Sequence, residues 1–225
     1  GLHLRSDQRL SGVEAAEVSR KVWRMLRLGE SFAGFSQLLS EEPLLDRCLK
    51  QGFRFLRGSS FFEDIVKAQI LTYWDEHALS RIAKGTLACD DERSRWMRGK
   101  RSLTALVDHL GSALSANPTR HAFPTPLQIS EHSDKVRKIL GFELATYVLT
   151  AAERFLEAPN TFAELLRRDM SVDTVQHTLE AFPGMNASAV AMAMLALGRY
   201  DYLPLDRLEE TSCGWMRTLT SDATL

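Results

Sequence analysis

The stretch that most constrains this chain is 187–197, ASAVAMAMLAL. It holds small and apolar residues with strong helix formers and neither a charge nor a breaker. A helix that is apolar all round has to be buried. At this length it cannot span a bilayer, so it must lie inside a folded core. Gly198 stops it, as a glycine just past the last helical turn commonly does. Before it, 179–182 close a preceding helix, and Pro183-Gly184-Met185-Asn186 make a tight turn. Gly184 can take a positive φ without steric cost, and Asn186 is one of the few other residues that tolerates the left-handed region. Such a turn leaves several backbone N–H groups unpaired where the next helix starts, at Ala187 and Ser188. Those donors and the positive end of the helix dipole suit a phosphate oxygen. Taken alone, the same turn reads as an ordinary helix–helix connection. After Gly198, a short segment 199–205 leads to Asp206.

The whole segment PGMNASAVAMAMLALGRYDYLPLD resembles the signature of the helix-hairpin-helix DNA glycosylase superfamily, in its 3-methyladenine DNA glycosylase II and 8-oxoguanine glycosylase branch. That signature is a Leu-x-x-hydrophobic-Pro-Gly-hydrophobic-Gly turn, an Ala-rich helix, and a Pro-hydrophobic-Asp ending in the catalytic aspartate. The resemblance implies that Asp206 is the catalytic carboxylate and that Pro183, Gly184, Met185, Asn186, Ala187 and Ser188 form a DNA-binding hairpin. The chain departs from the pattern at Asn186, where a second Gly is expected. In bifunctional relatives a lyase lysine stands two residues beyond that Gly. Ser188 occupies the matching position here, and a hydroxyl cannot form a Schiff base. The resemblance therefore implies a monofunctional enzyme.

Two further segments carry the resemblance. GFRFLRGSSFFE at 52–63 is similar to the Gly-hydrophobic-Arg, loop, Phe-Glu start of a long helix, expected here over 61–73 with Ser59 or Ser60 as cap. Phe123-Pro124-Thr125-Pro126 is similar to the lead-in to the second half of the glycosylase core. Residues 70–76 fall where relatives have a polar turn that pushes a side chain into the duplex. By position Thr72 and Tyr73 are the wedge candidates, since an aromatic ring can fill the hole left by a flipped base. Tyr73 and Trp74 read equally as core aromatics at a helix end. Residues 142–147 fall where relatives have a turn and helix carrying a Tyr or Lys after a Gly.

The chain has 225 residues, 44% of them hydrophobic, enough for one sizeable core or two small subdomains sharing a cleft. The formal net charge of −1 provides no global basic field. Charge is uneven, however: Arg93, Arg95, Arg98, Lys100 and Arg101 crowd one segment, either a solvated face or a backbone-contacting loop. Cys48, Cys89 and Cys213 are far apart and form neither a disulfide framework nor a metal-ligand spacing, and the six histidines show no zinc spacing. The four-cysteine motif of endonuclease III relatives is absent, so no iron–sulfur cluster, metal or other cofactor is expected. A reducing cytoplasm is the expected compartment, with no membrane segment or signal-peptide pattern. A monomer is expected.

The remaining periodicity is helical. Ser11 and Glu14 make a capping-box pattern ahead of an apolar face of Val13, Ala16, Val18, Val22, Met25 and Leu26. Helices are expected over 32–39, 44–55, 77–87, 103–114, 129–140, 144–156, 162–168 and 172–182, while 85–101 resists assignment. The prolines at 118, 124 and 126 mark a linker over 115–126. The expected fold is all-α, two helical subdomains with a DNA-binding active-site cleft between them. Residues 1–12 stand apart as an N-terminal extension, a remnant of the β domain that precedes the helical core in some relatives, and 13–225 form that core.

Asp206 also reads as a helix N-cap, with Glu209 three residues on. The two roles are compatible, because a capping carboxylate is rigidly held and stays ionised. The chemistry implied by the resemblance is N-glycosidic hydrolysis of a damaged purine flipped from double-stranded DNA. A fixed carboxylate would stabilise the oxocarbenium-like sugar. An alkylated purine is already cationic, and an aromatic pocket would attract it. Trp74, Phe61, Tyr202 and Trp215 are the base-pocket candidates. The alternative is a noncatalytic DNA-binding module built on the same hairpin, or an inactive glycosylase homologue.

Overall fold

The structure is a computed structural model that describes residues 3, 6, 9–31, 33, 37, 56–83, 92–115, 117–159, 164–165, 169–200 and 202. Among the described residues are eight α-helices and one two-stranded ribbon. In chain order these are α1 (Gly12–Met25), α2 (Phe61–Ala83), α3 (Glu92–Leu110), β1 (Ala113–Leu114), β2 (Asn117–His121), α4 (Pro126–Glu131), α5 (Ser133–Leu140), α6 (Phe142–Glu157), α7 (Val172–Glu180) and α8 (Ala187–Leu197). The helices expected over 32–39, 44–55 and 162–168 fall largely outside the described residues, as do Asp206 and Trp215.

α2 is the axis of the molecule. Its first half is buried on every side, through Phe61, Phe62, Ile65, Val66, Ala68 and Ile70, and it packs against α3, α6 and α8. Ser60 Oγ accepts from the Glu63 N–H at 3.2 Å and caps its start. Ser59 donates from its N–H and its hydroxyl to the Glu63 carboxylate at 2.7 and 2.8 Å. Burial pushes Glu63 up, but the Lys67 ammonium at 2.5 Å and the Ser59 bonds outweigh it and leave the carboxyl below its usual range. The helix runs 23 residues, through the turn expected at 70–76. The sequence from 61 to 83 has neither Gly nor Pro, so nothing breaks the ladder there.

α8 is buried along one face rather than all round, and Met192 is 38% exposed. Ala189, Val190, Ala193 and Met194 have no exposed surface. Full burial of Val190 and Met194 contributes roughly 1.5–3 kcal/mol each. Gly198 ends the helix in the left-handed region at φ 81°. The carbonyls at that end are met by a side chain from the other end of the chain. Arg27, only 1% exposed, donates through Nη2 to the carbonyls of Leu195 and Ala196, the latter at 3.0 Å. Its Nη1 donates to both Glu30 carboxylate oxygens at 2.9 Å and to the Tyr200 hydroxyl at 2.6 Å.

Three expectations need correction. The Ser11–Glu14 capping box forms, but the apolar stripe of α1 is not buried: Val13 is 77% exposed and Val18 40%. The contact that ties this region to α8 is the Arg27 turn after the helix, not the stripe. The unassigned 85–101 segment becomes helix from Glu92, and that helix stops at Leu110 rather than 114. The linker expected over 115–126 contains β2, which pairs antiparallel with β1, Ala113 opposite His121 and Leu114 opposite Asn117. Pro118 is tolerated because the ribbon is an exposed edge. Thr125 then caps α4 in a capping box with Gln128, with Pro126 in the first turn.

Gly198→Ala should cost on the order of 1–2 kcal/mol, because an L-residue pays that much to enter the left-handed region. Its Cβ would also lie 3.1 Å from Arg27 Nη1. Urea unfolding measures this, and an unchanged midpoint would contradict the αL cap.

Candidate functional site

The site is built around the turn between α7 and α8. α7 closes with the Ala181 N–H bonded to the His177 carbonyl. The Met185 N–H donates to the Phe182 carbonyl at 3.2 Å, and Gly184 takes φ 74°. Asn186 does not use the left-handed region it tolerates. It sits at φ −71°, ψ 172° as the N-cap of α8, and its Oδ1 accepts the Ala189 N–H at 2.8 Å. A residue in extended backbone needs no glycine, so the departure from Gly at this position is replaced by a side-chain cap. The N–H groups of Ala187 and Ser188 have no acceptor within the helix. Both residues are partly exposed, while Met185 points inward at 7% exposure.

Behind the turn lies a wall of polar and aromatic contacts. Gln69, from the middle of α2 and 1% exposed, donates through Nε2 to the Pro183 carbonyl at 2.8 Å and towards the Tyr147 carbonyl at 3.5 Å. The Tyr147 ring fills the space beside Gly184, where an added Cβ would lie 2.3 Å from Tyr147 Cδ2. The Tyr147 hydroxyl donates to Glu143 Oε1 at 2.7 Å, and the Tyr73 hydroxyl donates to Glu143 Oε2 at 3.2 Å. The Tyr73 ring meets the Tyr147 ring edge-on at 6.3 Å and the Trp74 ring edge-on at 5.2 Å. Burial first, then the Glu143 charge, pushes Tyr73 up to about 12. Next to Glu143, Phe142 opens α6 with 79% of its surface exposed.

No protein-family model and no curated protein sequence matches the chain. Solved structures do match it. The protein MBOgg1, in complex with a low-affinity DNA ligand, gives a TM-score of 0.63 at 18% identity, over 90% of this chain and 64% of that one. The Clostridium acetobutylicum 8-oxoguanine glycosylase/lyase, in complex with double-stranded DNA containing cytosine opposite 8-oxoG, gives 0.61 at 16% identity, over 84% and 59%. Its apo form gives 0.62 at 16% identity, over 84% and 60%. The chain has the helix-hairpin-helix glycosylase fold. It spans about three-fifths of the length of these structures.

Within the glycosylase fold, the hairpin residues Pro183, Gly184, Met185, Asn186, Ala187 and Ser188 are contiguous at one helix start, with Tyr73 and Trp74 reached from it through Tyr147 and Glu143. Thr72 is not in a loop. It is 5% exposed and donates its hydroxyl to the Ala68 carbonyl one turn back, so it cannot reach a duplex. The three described base-pocket candidates do not converge on one point, and Trp215 lies outside the described residues. Phe61 and Trp74 stand at separate levels of α2, about 20 Å apart along its axis. Phe61, 7% exposed, packs on Phe155 and lines a cleft of about 920 Å³ with Arg24 and Arg57. Trp74 lies under the Arg98 guanidinium at 6.0 Å, and its indole N–H has no partner among the described residues. Tyr202 packs against the core. Gln69, Glu143 and Phe142 carry the geometry without having been named as site residues. Glu143 and Phe142 lie in the segment 142–147 that the resemblance marks, and Gln69 shows as the one amide within 65–71. Among the described residues no group of three His, Cys, Asp or Glu side chains could hold a metal ion, and no helix is long and apolar enough to cross a membrane.

Gly184→Ala should destabilise the protein by more than the roughly 1–2 kcal/mol of left-handed strain, because the new Cβ also meets the Tyr147 ring. Removing that ring in Gly184→Ala/Tyr147→Ala should recover the clash, so the two changes should fall short of additivity in urea unfolding. Strict additivity would contradict the contact. In an absorbance titration at 295 nm, Tyr73 should ionise near 12. With its folded value raised, its contribution to stability is complete below about pH 10 and is lost as pH rises through 10 to 12. Glu143→Gln should bring the midpoint only part of the way back, since burial is the larger cause.

Proposed function

We propose that the chain is a monofunctional DNA N-glycosylase that excises a damaged, alkylated purine from double-stranded DNA. The observation that carries this reading is the hairpin: a Pro-Gly turn, held from behind by Gln69 and Tyr147, at the start of a helix whose first residues, Ala187 and Ser188, are partly exposed. Their N–H donors and the helix dipole would bind a phosphate oxygen of the backbone, without reading sequence. The fold shared with a DNA-bound 8-oxoguanine glycosylase/lyase supports the DNA glycosylase part of this reading.

The aromatic side chains beside the hairpin supply the second step. Phe142 is exposed, and Tyr73 adjoins it through Glu143. Either ring could enter the stack as a base leaves it and recover part of the lost stacking energy. The flipped base would meet an electron-rich surface at Trp74, which favours a cationic alkylated purine. Asp206 would then stabilise the positive charge that builds on the sugar and activate water for attack at the anomeric carbon. Ser188 stands where a lysine nucleophile would be needed for strand cleavage, so the reaction would stop at the abasic site. Continuity of α2 through 70–76 favours a second reading, a noncatalytic DNA-binding protein, because it leaves no flexible loop to carry a wedge.

The discriminating experiment is release of base from duplexes carrying an alkylated purine or 8-oxoguanine, by wild type and Asp206→Asn. Base release should fall by on the order of 10²-fold or more in the variant. Binding should persist, and stability should change little because Asn caps helices about as well as Asp. Undiminished release would remove Asp206 from the mechanism. No release by wild type, with duplex binding intact, would select the noncatalytic reading.

A further inference from the structure

The basic run at the start of α3 touches the site described so far only through Arg98, over Trp74, and has been given no role there. Five cations and no carboxylate lie between 93 and 101. α3 meets α2 closely at Gly99, where an added Cβ would sit 3.2 Å from Leu71 Cα and 3.2 Å from the Ile70 carbonyl. This crossing is one helical step before Thr72 and Tyr73. Because successive helical residues turn by about 100°, Arg98 and Lys100 leave Gly99 on opposite flanks. Arg98 takes the flank of the site: its guanidinium lies 6.0 Å from the centre of the Trp74 ring, which packs edge-on against Tyr73. Arg101, exposed, is three residues on and falls on the same side as Arg98. Lys100 takes the other flank, over the Trp96 ring at 5.1 Å.

The contacts thus form a chain that leads from the hairpin through Tyr147, Glu143, Tyr73 and Trp74 to Arg98. We propose that Arg98 and Arg101 are a second phosphate-binding anchor for duplex DNA, on the opposite side of the aromatic pair from the hairpin. The inference rests on the DNA-binding reading above. Its physical basis is mechanical as well as electrostatic. A ring driven into a base stack pushes the duplex off the protein unless the backbone is held on both sides of the entry point. The hairpin holds one side through backbone N–H groups. Guanidinium groups, which pair with phosphate in a planar fork, hold the other.

The test is fluorescence-anisotropy titration of a short duplex carrying a tetrahydrofuran abasic analogue, over a series of salt concentrations. The proteins are wild type, Arg98→Gln, Arg98→Lys, Arg101→Gln, Lys100→Gln and Gly184→Val, with thermal melts confirming that each is folded. Arg98→Gln and Arg101→Gln should each weaken binding on the order of tenfold at low salt and make the slope of log Kd against log salt shallower by about 1. Arg98→Lys should keep the slope, and Lys100→Gln should match wild type. Loss of binding in Gly184→Val with unchanged binding in both arginine variants would overturn this inference and leave the hairpin reading standing. Equal losses for Lys100→Gln and Arg101→Gln would also overturn it, since only a diffuse field treats both flanks alike. Failure of wild type to bind any duplex would overturn the DNA-binding reading itself.

Discussion

The hydrogen bond from Gln69 to the Pro183 carbonyl is the contact on which the site depends. A carboxamide with 1% of its surface exposed costs free energy unless it is bonded. Both of its nearby partners, Pro183 and Tyr147, offer carbonyl oxygens, so only the amide nitrogen can serve them. One side chain in the middle of the central helix therefore ties the turn before α8 to α6. Gly184 lets the turn lie flat on the Tyr147 ring. Once the turn and that ring are fixed, Glu143 is held by two tyrosine hydroxyls, and Tyr73 and Trp74 take their places beside it.

The helix that follows the turn is held at both ends by polar groups while one face of its body is buried. Asn186 caps the start and Arg27 binds the carbonyls at the finish. A buried guanidinium is costly unless its donors are matched, and here Glu30, Tyr200 and two carbonyls receive its Nη donors. Burial, and then the bond to Glu30, pushes the Tyr200 hydroxyl up to about 12, so it stays neutral and donates to Glu30 across the working pH range. The region before α2 is thereby coupled to the exit from α8. An apolar helix could slide or rotate against a uniformly apolar core. These end contacts fix its register, and so fix the direction in which the hairpin N–H groups point.

Much of this was legible in the sequence because the decisive signals were local. The breaker-free run 187–197 specified a helix, Gly184 and Gly198 specified its turn and its stop, and Ser11 specified a capping box. What escaped was non-local. Nothing in the neighbourhood of Gln69 says that its partner is Pro183, and nothing near Arg27 says that it caps a helix far along the chain. The turn expected at 70–76 came from a family pattern, whereas the residues themselves favour continued helix, and the helix prevailed. Asn186 likewise looked suited to the left-handed region, but its side chain does more as a cap in extended backbone.

The central claim is that the outward N–H groups of this locked hairpin receive a DNA phosphate. Amide hydrogen exchange with and without a duplex carrying an abasic analogue reads those groups directly. The account expects new protection concentrated in the peptide containing Gly184 to Ala189, with little change along α4, α5 and α7. Saturating duplex binding that leaves the hairpin amides exchanging as in the free protein would contradict it.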